Sequence, residues 1–397
     1  MKHAAVVRSV SSDNPGDGAK DILPVDPPQQ PLQSSLPKRY SNTKLLLGLL
    51  GSTLSFGLTA GFVLTGAART TEAIALRLAN NDYLVLLLFA AMFGSAQMVI
   101  LFPLRLYSGY YLEHRYGLST QSMRAWLWEG TKAFVVGLPI SILILLAFYR
   151  CLRQFGSLWW LPVASLLFVV GVILARIAPV VILPLFYKFK PLEEGTLRHR
   201  ILGLCDRLGV PVGGVFVFDL SKSTKKANAA FTGMGRSRRI ILGDTLVSNF
   251  SDDEVEVVFA HELGHRKLGH IWSLIVVGTV SSFAGLYITS RLYAASLGWF
   301  GYSSQNEIAA LPLLGLWLAV YSIVSSPIQN AFSRAHERSA DRFALRATGM
   351  KEAFISAMRK LALLNLADRT PHPLVEFLFY SHPSIEKRIA AALRTEV

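Results

Sequence analysis

Six stretches of this chain run for 17 or more residues without a charged side chain: 45–68, 83–104, 133–149, 158–175, 271–290 and 308–333. A helix needs roughly 20 apolar residues to cross the hydrocarbon core of a bilayer, with about 17 as the lower limit. Four runs pass this test easily, and 133–149 and 158–175 pass narrowly. About six membrane spans are therefore expected. The fourth run is followed by Arg176 and then Ile177–Tyr187, which holds Pro179 and Pro184 and reads as a kinked extension of that span. Composition agrees: 52% of residues are hydrophobic and 17% charged, where a soluble domain is usually about a quarter charged. One large water-soluble domain is excluded, and so is a disordered or fibrous chain.

Charge placement orients the spans. Residues 1–43 are polar, rich in Pro, Ser, Gln and Asp, without the apolar core of a cleavable signal peptide, and they read as a disordered tail. The tail carries Lys2, Arg8, Lys20, Lys38 and Arg39, with Lys44 at the edge of the first span. The 105–132 loop carries Arg105, Arg115, Arg124 and Lys132, whereas 291–307 carries only Arg291. This asymmetry places the N-terminus in the cytoplasm, together with 188–270 and the C-terminal tail. The net charge of +14 is then mainly a topology signal and a contact with the lipid bilayer, not a nucleic-acid footprint. Cys151 falls near the outer face and Cys205 in the cytoplasm, so the two cannot pair. Five segments result: the tail 1–43, N-terminal spans 44–187, a catalytic region 188–270, two spans 271–333 and a second catalytic region 334–397.

The chemistry is carried by His261-Glu262-Leu263-Gly264-His265. On a helix, positions i and i+4 share a face, so both imidazoles can bind one metal ion while Glu262 reaches a water on it as general base. His270 lies five residues on, off that face, and reads as a non-ligand. A hydrolytic zinc site takes three protein ligands and keeps one position open. A third His six residues after the second is excluded because position 271 is Ile. Residues 334–345 (RAHERSADRFAL) offer Glu337 as the third ligand, with Asp341 one turn on to orient a ligand His from outside. His336 is the alternative ligand, pointing about 100° away from Glu337. Two spans joined by a short loop separate His265 from Glu337, so a membrane hairpin brings the ligands together at its cytoplasmic end.

Beyond this motif the chain resembles the type I CAAX prenyl endopeptidases, integral-membrane zinc proteases related to the HtpX-like quality-control proteases. The matching segments are Tyr110–Thr120 (YYLEHRYGLST), Pro184–Gly195 (PLFYKFKPLEEG), Asp219–Gly233 (DLSKSTKKANAAFTG), Ile240–Leu246 (IILGDTL) and Ser381–Ile389 (SHPSIEKRI). The resemblance implies one Zn²⁺ per chain on His261, His265 and Glu337, with Glu262 as catalytic base. It further implies that Asn228 holds substrate backbone, that His382 stands near the scissile carbonyl, and that Arg388 contacts substrate or its carboxylate. From spacing alone these three would read as a turn residue, a cap in the Ser-His-Pro turn and a solvated helix charge. The chain departs from the family at Gly264 with Arg266-Lys267, and at Ala229-Ala230 after Asn228. A basic strip, Lys222, Lys225, Lys226, Arg236, Arg238 and Arg239, reads as a solvated face or an attractor of anionic headgroups.

Around the motif, Leu197–Leu208 is helix-like, Gly214–Phe218 and Arg239–Leu242 read as short strands, and Ser251 is the expected N-cap of a helix running to Gly269. The expected architecture is a predominantly α polytopic bundle with an integrated, gluzincin-like cytoplasmic protease region containing a small β element. The expected activity is zinc-dependent cleavage of peptides or proteins, of the CAAX type on prenylated or lipid-associated substrates. The alternatives are a membrane-protein quality-control protease or a metal-binding scaffold without activity. A site-two-type intramembrane protease is excluded because its third ligand is an Asp in a later apolar segment, and 271–290 and 308–333 contain none.

Overall fold

The computed structural model describes residues 31–232 and 239–396. Among the described residues six helices are long and apolar enough to cross a membrane: Ser35–Leu64, Asp82–Arg115, Met123–Leu158, Trp160–Phe186, His270–Phe300 and Ile308–Thr348. The count equals the number of uncharged runs. Between the first two, the helix Ala67–Leu78 has 12 residues and is too short to span. The first helix is described over Pro31–Leu64, so it takes in residues 31–43 of the expected tail 1–43. Residues 1–30 of that tail lie outside the described residues. In the fourth span the chain widens into a π-helical turn over Ala178–Ile182, which contains Pro179 and is followed by Pro184. A proline removes one backbone donor from the ladder, and the wider turn relieves that loss.

Two hydrophobic cores are the largest among the described residues. One fills the end of the bundle away from the metal motif, where Trp159, Leu152 and Tyr293 are fully buried with Ala309 and Ala310. The other joins Ile201, Leu204, Leu242, Leu246, Phe259 and Ala344 beneath the motif helix. The helix Leu311–Thr348 has 38 residues, about 57 Å at helical rise, and runs unbroken from the first core into the second. A ligand on its last turns is thereby rigidly tied to a membrane span. The motif helix Asp252–Lys267 is separated from the fifth span by Leu268 and Gly269 only, with Gly269 at φ 71°. That left-handed conformation suits glycine and turns the chain into the membrane.

A four-stranded sheet flanks the motif helix. Its strands are β1 (Phe189–Pro191), β2 (Val215–Phe218), β3 (Ala229–Thr232) and β4 (Arg239–Gly243), in the order β1-β2-β4-β3. β2 and β4 are parallel and the other pairs antiparallel. β2 and β4 match the strands expected from the sequence. β1 and β3 are short pieces (FKP and AAFT) whose strand character comes from pairing more than from propensity. β3 is an edge strand, and Asn228 stands immediately before it.

Part of the basic strip braces the sheet region against the first spans. The Lys226 ammonium donates to the Tyr40 hydroxyl at 2.9 Å and pairs with Glu113 at 3.0 Å, while Lys222 donates to the Phe186 carbonyl. Arg239 lies over the Phe216 ring. Arg236 and Arg238 fall outside the described residues.

Candidate metal centre

The motif helix starts with a reciprocal cap. The Ser251 hydroxyl accepts from the Glu254 amide, and the Glu254 carboxylate accepts from the Ser251 amide at 2.8 Å. This satisfies two of the orphan donors of the first turn. Glu254 is itself buried and held by Lys360 at 2.7 Å and the Ser356 hydroxyl at 2.6 Å. The helix therefore enters the core in a defined register, with His261 and His265 one turn apart on the face towards Leu311–Thr348.

Gly264 lies on that contact face. A Cβ there would meet Phe343 Cδ1 at 3.0 Å and the Ala340 backbone at 3.3 Å. The two helices approach this closely only without a side chain at 264. Gly264→Leu should push them apart, cost about 1–3 kcal/mol of stability by overpacking, and weaken metal retention. Thermal unfolding and metal content of the purified variant check this.

The close approach brings three donor atoms together. His261 Nε2 and His265 Nε2 are 3.1 Å apart, His261 Nε2 is 3.3 Å from Glu337 Oε2, and His265 Nε2 is 3.2 Å from Glu337 Oε1. Ligands at about 2.0–2.1 Å on a tetrahedral ion are separated by about 3.3 Å. The two nitrogens are at that spacing, each has one Glu337 oxygen at that spacing, and one ligand atom from each of the three residues lies within 4.8 Å of the others. Glu337 is buried, and its Oε2 accepts no regular hydrogen bond among the described residues, its near neighbours being His261 Nε2 at 3.3 Å and Arg388 at 3.8 Å; a bound cation would complete this under-satisfied oxygen. On both grounds the residues fit a metal ion.

The outer side of His261 is equally organised. Its Nδ1 is 2.9 Å from Asp341 Oδ1. Arg388, from the helix Ile385–Arg394, clamps Asp341 with two donors, Nε to Oδ2 at 2.8 Å and Nη2 to Oδ1 at 2.5 Å, and stands 3.8 Å from Glu337 Oε2. Burial by itself disfavours the charged imidazole of His261. Asp341 and Glu337, one against each ring nitrogen, outweigh that and push its pKa up to about 9. Glu262 contributes no atom to the triangle but lines the adjoining cleft. Burial pushes its carboxyl above the ordinary carboxylate range, Glu337 adds to the rise, and the two imidazoles oppose it.

Residues far apart in sequence complete the cleft. His382 is exposed to it, with Nε2 3.3 Å from Glu337 Oε1 and Nδ1 2.9 Å from the Ser381 hydroxyl. The loop carrying it is held by two buried charges that sequence reasoning did not single out. Arg334 donates to the carbonyls of Glu376, Phe377 and Tyr380, and Glu376 takes the Ser384 amide and the Lys387 ammonium. A usable signal existed for Arg334: with Glu337 and Asp341 it forms an i, i+3, i+7 series on one helix face, so it is buried when they are. Asn228 stands exposed at the rim of the cleft. His336 is turned away from the triangle, with Nε2 3.2 Å from the Ser273 hydroxyl and its ring stacked on His270 at 4.3 Å. His270 reaches the outer nitrogen of His265, Nδ1 to Nδ1, at 3.1 Å.

The cleft has a volume of about 630 Å³. One wall runs along Asn228 and Ala229 at the sheet edge, and the floor continues to Ile271 and Leu274 at the start of the fifth span. A larger cavity of about 890 Å³ lies among the spans, lined mainly by apolar groups such as Phe89, Phe93 and Leu101. Its described lining holds no carboxylate or imidazole, whereas His261, Glu262, His265 and Glu337 line the smaller one.

Comparison with known proteins gives a consistent result. Residues 191–396 match the model of peptidase family M48, and residues 33–188 match that of the CAAX prenyl protease N-terminal region, described as five membrane helices. The chain is 30% identical to an uncharacterized metalloprotease, YhfN, of Bacillus subtilis, over 92% of this chain and 87% of that protein. It is 31% identical to CAAX prenyl protease 1 of Saccharomyces cerevisiae, over 77% of this chain and 71% of that protein. Among solved structures it resembles the crystal structure of S. mikatae Ste24p with a TM-score of 0.80 and 27% identity, covering 91% of this chain and 89% of that one.

Proposed function

Because the chain belongs to peptidase family M48 and is a multi-pass membrane metalloprotease, we propose that it is a zinc endopeptidase of the CAAX type, acting at the cytoplasmic membrane surface on prenylated or lipid-associated peptides. One observation carries this reading. The donor triangle opens into a cleft that joins an edge strand, suited to an extended peptide, to the apolar start of a membrane span, suited to a lipid attached to that peptide.

His261, His265 and Glu337 would hold the metal. When bound, it supplies Lewis acidity that acidifies a water molecule and polarises a peptide carbonyl. Glu262 takes the proton of the attacking water on its carboxylate and returns it to the leaving amine. His382, with Nε2 turned to the site, donates to the oxygen on which negative charge develops. Asn228 offers donor and acceptor together to the substrate backbone beside β3. Arg388 keeps Asp341 ionised against His261 Nδ1, so that His261 Nε2 is free for the metal.

The deciding assay compares a farnesylated C-terminal peptide with its unprenylated twin, with and without chelator followed by zinc restoration. Preferential cleavage of the prenylated peptide, lost with chelator and recovered with zinc, is expected. Equal cleavage of both peptides would favour a quality-control protease of the same chemistry.

A pH dependence follows from His261. Its pKa of about 9 in the metal-free protein means that at neutral pH the ring carries a proton that the metal must displace. Zinc affinity should therefore rise with pH up to about that value and fall below it, with proton release on binding. Calorimetric titration in two buffers of different ionisation enthalpy measures the released proton, and binding without release would contradict the assignment.

A further inference from the structure

Each ligand histidine must present a bare Nε2 to the metal, so its Nδ1 must carry the ring proton and something must accept it. For His261 the acceptor is the Asp341 carboxylate. For His265 no carboxylate stands at that position. The group 3.1 Å from its Nδ1 is another imidazole nitrogen, His270 Nδ1, which accepts or donates according to its own tautomer.

The neighbours of His270 suit the accepting direction. The Ser339 hydroxyl lies 2.8 Å from the His336 carbonyl and 2.9 Å from His270 Nε2. With its one proton on the carbonyl it is an acceptor towards His270 Nε2. His270 then bears its proton on Nε2 and offers a lone pair on Nδ1 to His265 Nδ1–H. The His336 ring, stacked at 4.3 Å with an interplanar angle of 15°, fixes the plane in which this lone pair points. The polarity thus runs from His265 through His270 and Ser339 to the main chain of the helix that carries Glu337. These residues lie on three helices: His265 on the motif helix, His270 at the start of the fifth span, and Ser339 and His336 on the helix that packs against Gly264.

We infer that His270 is a positioning residue of the metal centre: it accepts the Nδ1 proton of His265 and holds that ring in the tautomer whose Nε2 binds the metal. The two ligand histidines are then held by different devices, one by a charged carboxylate and one by a neutral imidazole relay. The inference rests on the metal-centre reading above and adds to it a residue that offers no ligand atom itself.

The test measures zinc affinity by competition with a chromophoric chelator, on full-length purified protein. Four forms are compared: wild type, His270→Phe, His270→Asn and Ser339→Ala. Phe keeps an aromatic ring against His336 but has no acceptor. Asn loses the ring but places Oδ1 where Nδ1 stood. His270→Phe should weaken zinc binding about 10–100-fold, the usual cost of losing an outer-shell partner, and shift the d–d absorption of the cobalt-substituted protein. His270→Asn should retain most of the affinity and the wild-type cobalt spectrum. Ser339→Ala frees His270 to switch tautomer and should fall between them. A Phe variant with wild-type affinity and spectrum overturns the inference. So does equal weakening in Phe and Asn that tracks a loss of thermal stability in the zinc-free protein, since the role would then be packing. Should His270→Phe fail to fold, Ser339→Ala decides, and unchanged affinity there overturns the relay. Wild-type protein that binds no zinc would instead overturn the metal-centre reading itself.

Discussion

Replacing Glu262 with Gln should lower kcat by about 10²–10⁴-fold, the usual contribution of a positioned general base, and leave zinc bound at wild-type stoichiometry. Gln keeps the size and polarity of the side chain but cannot take a proton. Glu262 lies beside the donor triangle and supplies none of its atoms, so the metal site stays whole. Its carboxyl is pushed above the ordinary range first by burial, which brings its proton affinity nearer to that of the groups it must exchange with. Glu337→Ala should give the opposite pattern. That variant loses one of three donors and with it the metal, so activity and zinc content fall together. Parallel metal analysis and single-turnover kinetics separate the two. An active Glu262→Gln protein, or full zinc in Glu337→Ala, would remove the respective assignment.

Arg388→Ala should destabilise the protein by about 3–5 kcal/mol, because it strips the two-pronged partner from a buried carboxylate. Arg388 and Asp341 are 8% and 5% exposed, so water cannot replace the lost donors without opening the core. His261 remains beside Asp341 and takes up part of the uncompensated charge, which places the effect towards the lower end of that range. The metal site should suffer in turn, since Asp341 is then free to move away from His261 Nδ1. Arg388→Lys keeps the charge but not the paired geometry and should recover only part of the loss. Thermal unfolding of the zinc-loaded protein reads the first effect and chelator competition the second. A role confined to substrate contact predicts another outcome: raised KM, with melting temperature and zinc affinity unchanged.

The membrane frame and the heart of the candidate site were legible along the chain because both are local. An uncharged run is a property of consecutive residues, and so is the four-residue spacing that puts His261 with His265, or Glu337 with Asp341, on one face. Ser251 as N-cap is likewise read from its own position ahead of the motif helix, while Glu254 as its reciprocal partner was seen only in the structure. The strands β2 and β4 could be read for the same reason, from their own run of β-branched and aromatic residues. β1 and β3 could not, since three- and four-residue segments become strands only through pairing with β2 and β4. The helical state of residues 31–43 was also hidden, because a polar composition resembles a tail until Tyr40 and Lys44 are seen to meet Glu113 on the next span.

The sequence by itself thus determined that the chain is a polytopic membrane protein and that it carries the parts of a metal-dependent hydrolase. Local spacing decides helix faces, and length with hydropathy decides which segments cross the bilayer. Only the tertiary structure decided how those parts are held: Arg388 on Asp341, Arg334 under the His382 loop, and His270 with Ser339 behind His265. These contacts join groups between 42 and 69 positions apart, Arg388 to Asp341, Arg334 to the Glu376 carbonyl and His270 to Ser339, and hydrogen bonds act over about 3 Å. No periodicity in one segment records which distant group will arrive within that range. That depends on the close crossing of two helices at Gly264 and on a membrane hairpin that returns the chain to the place it left.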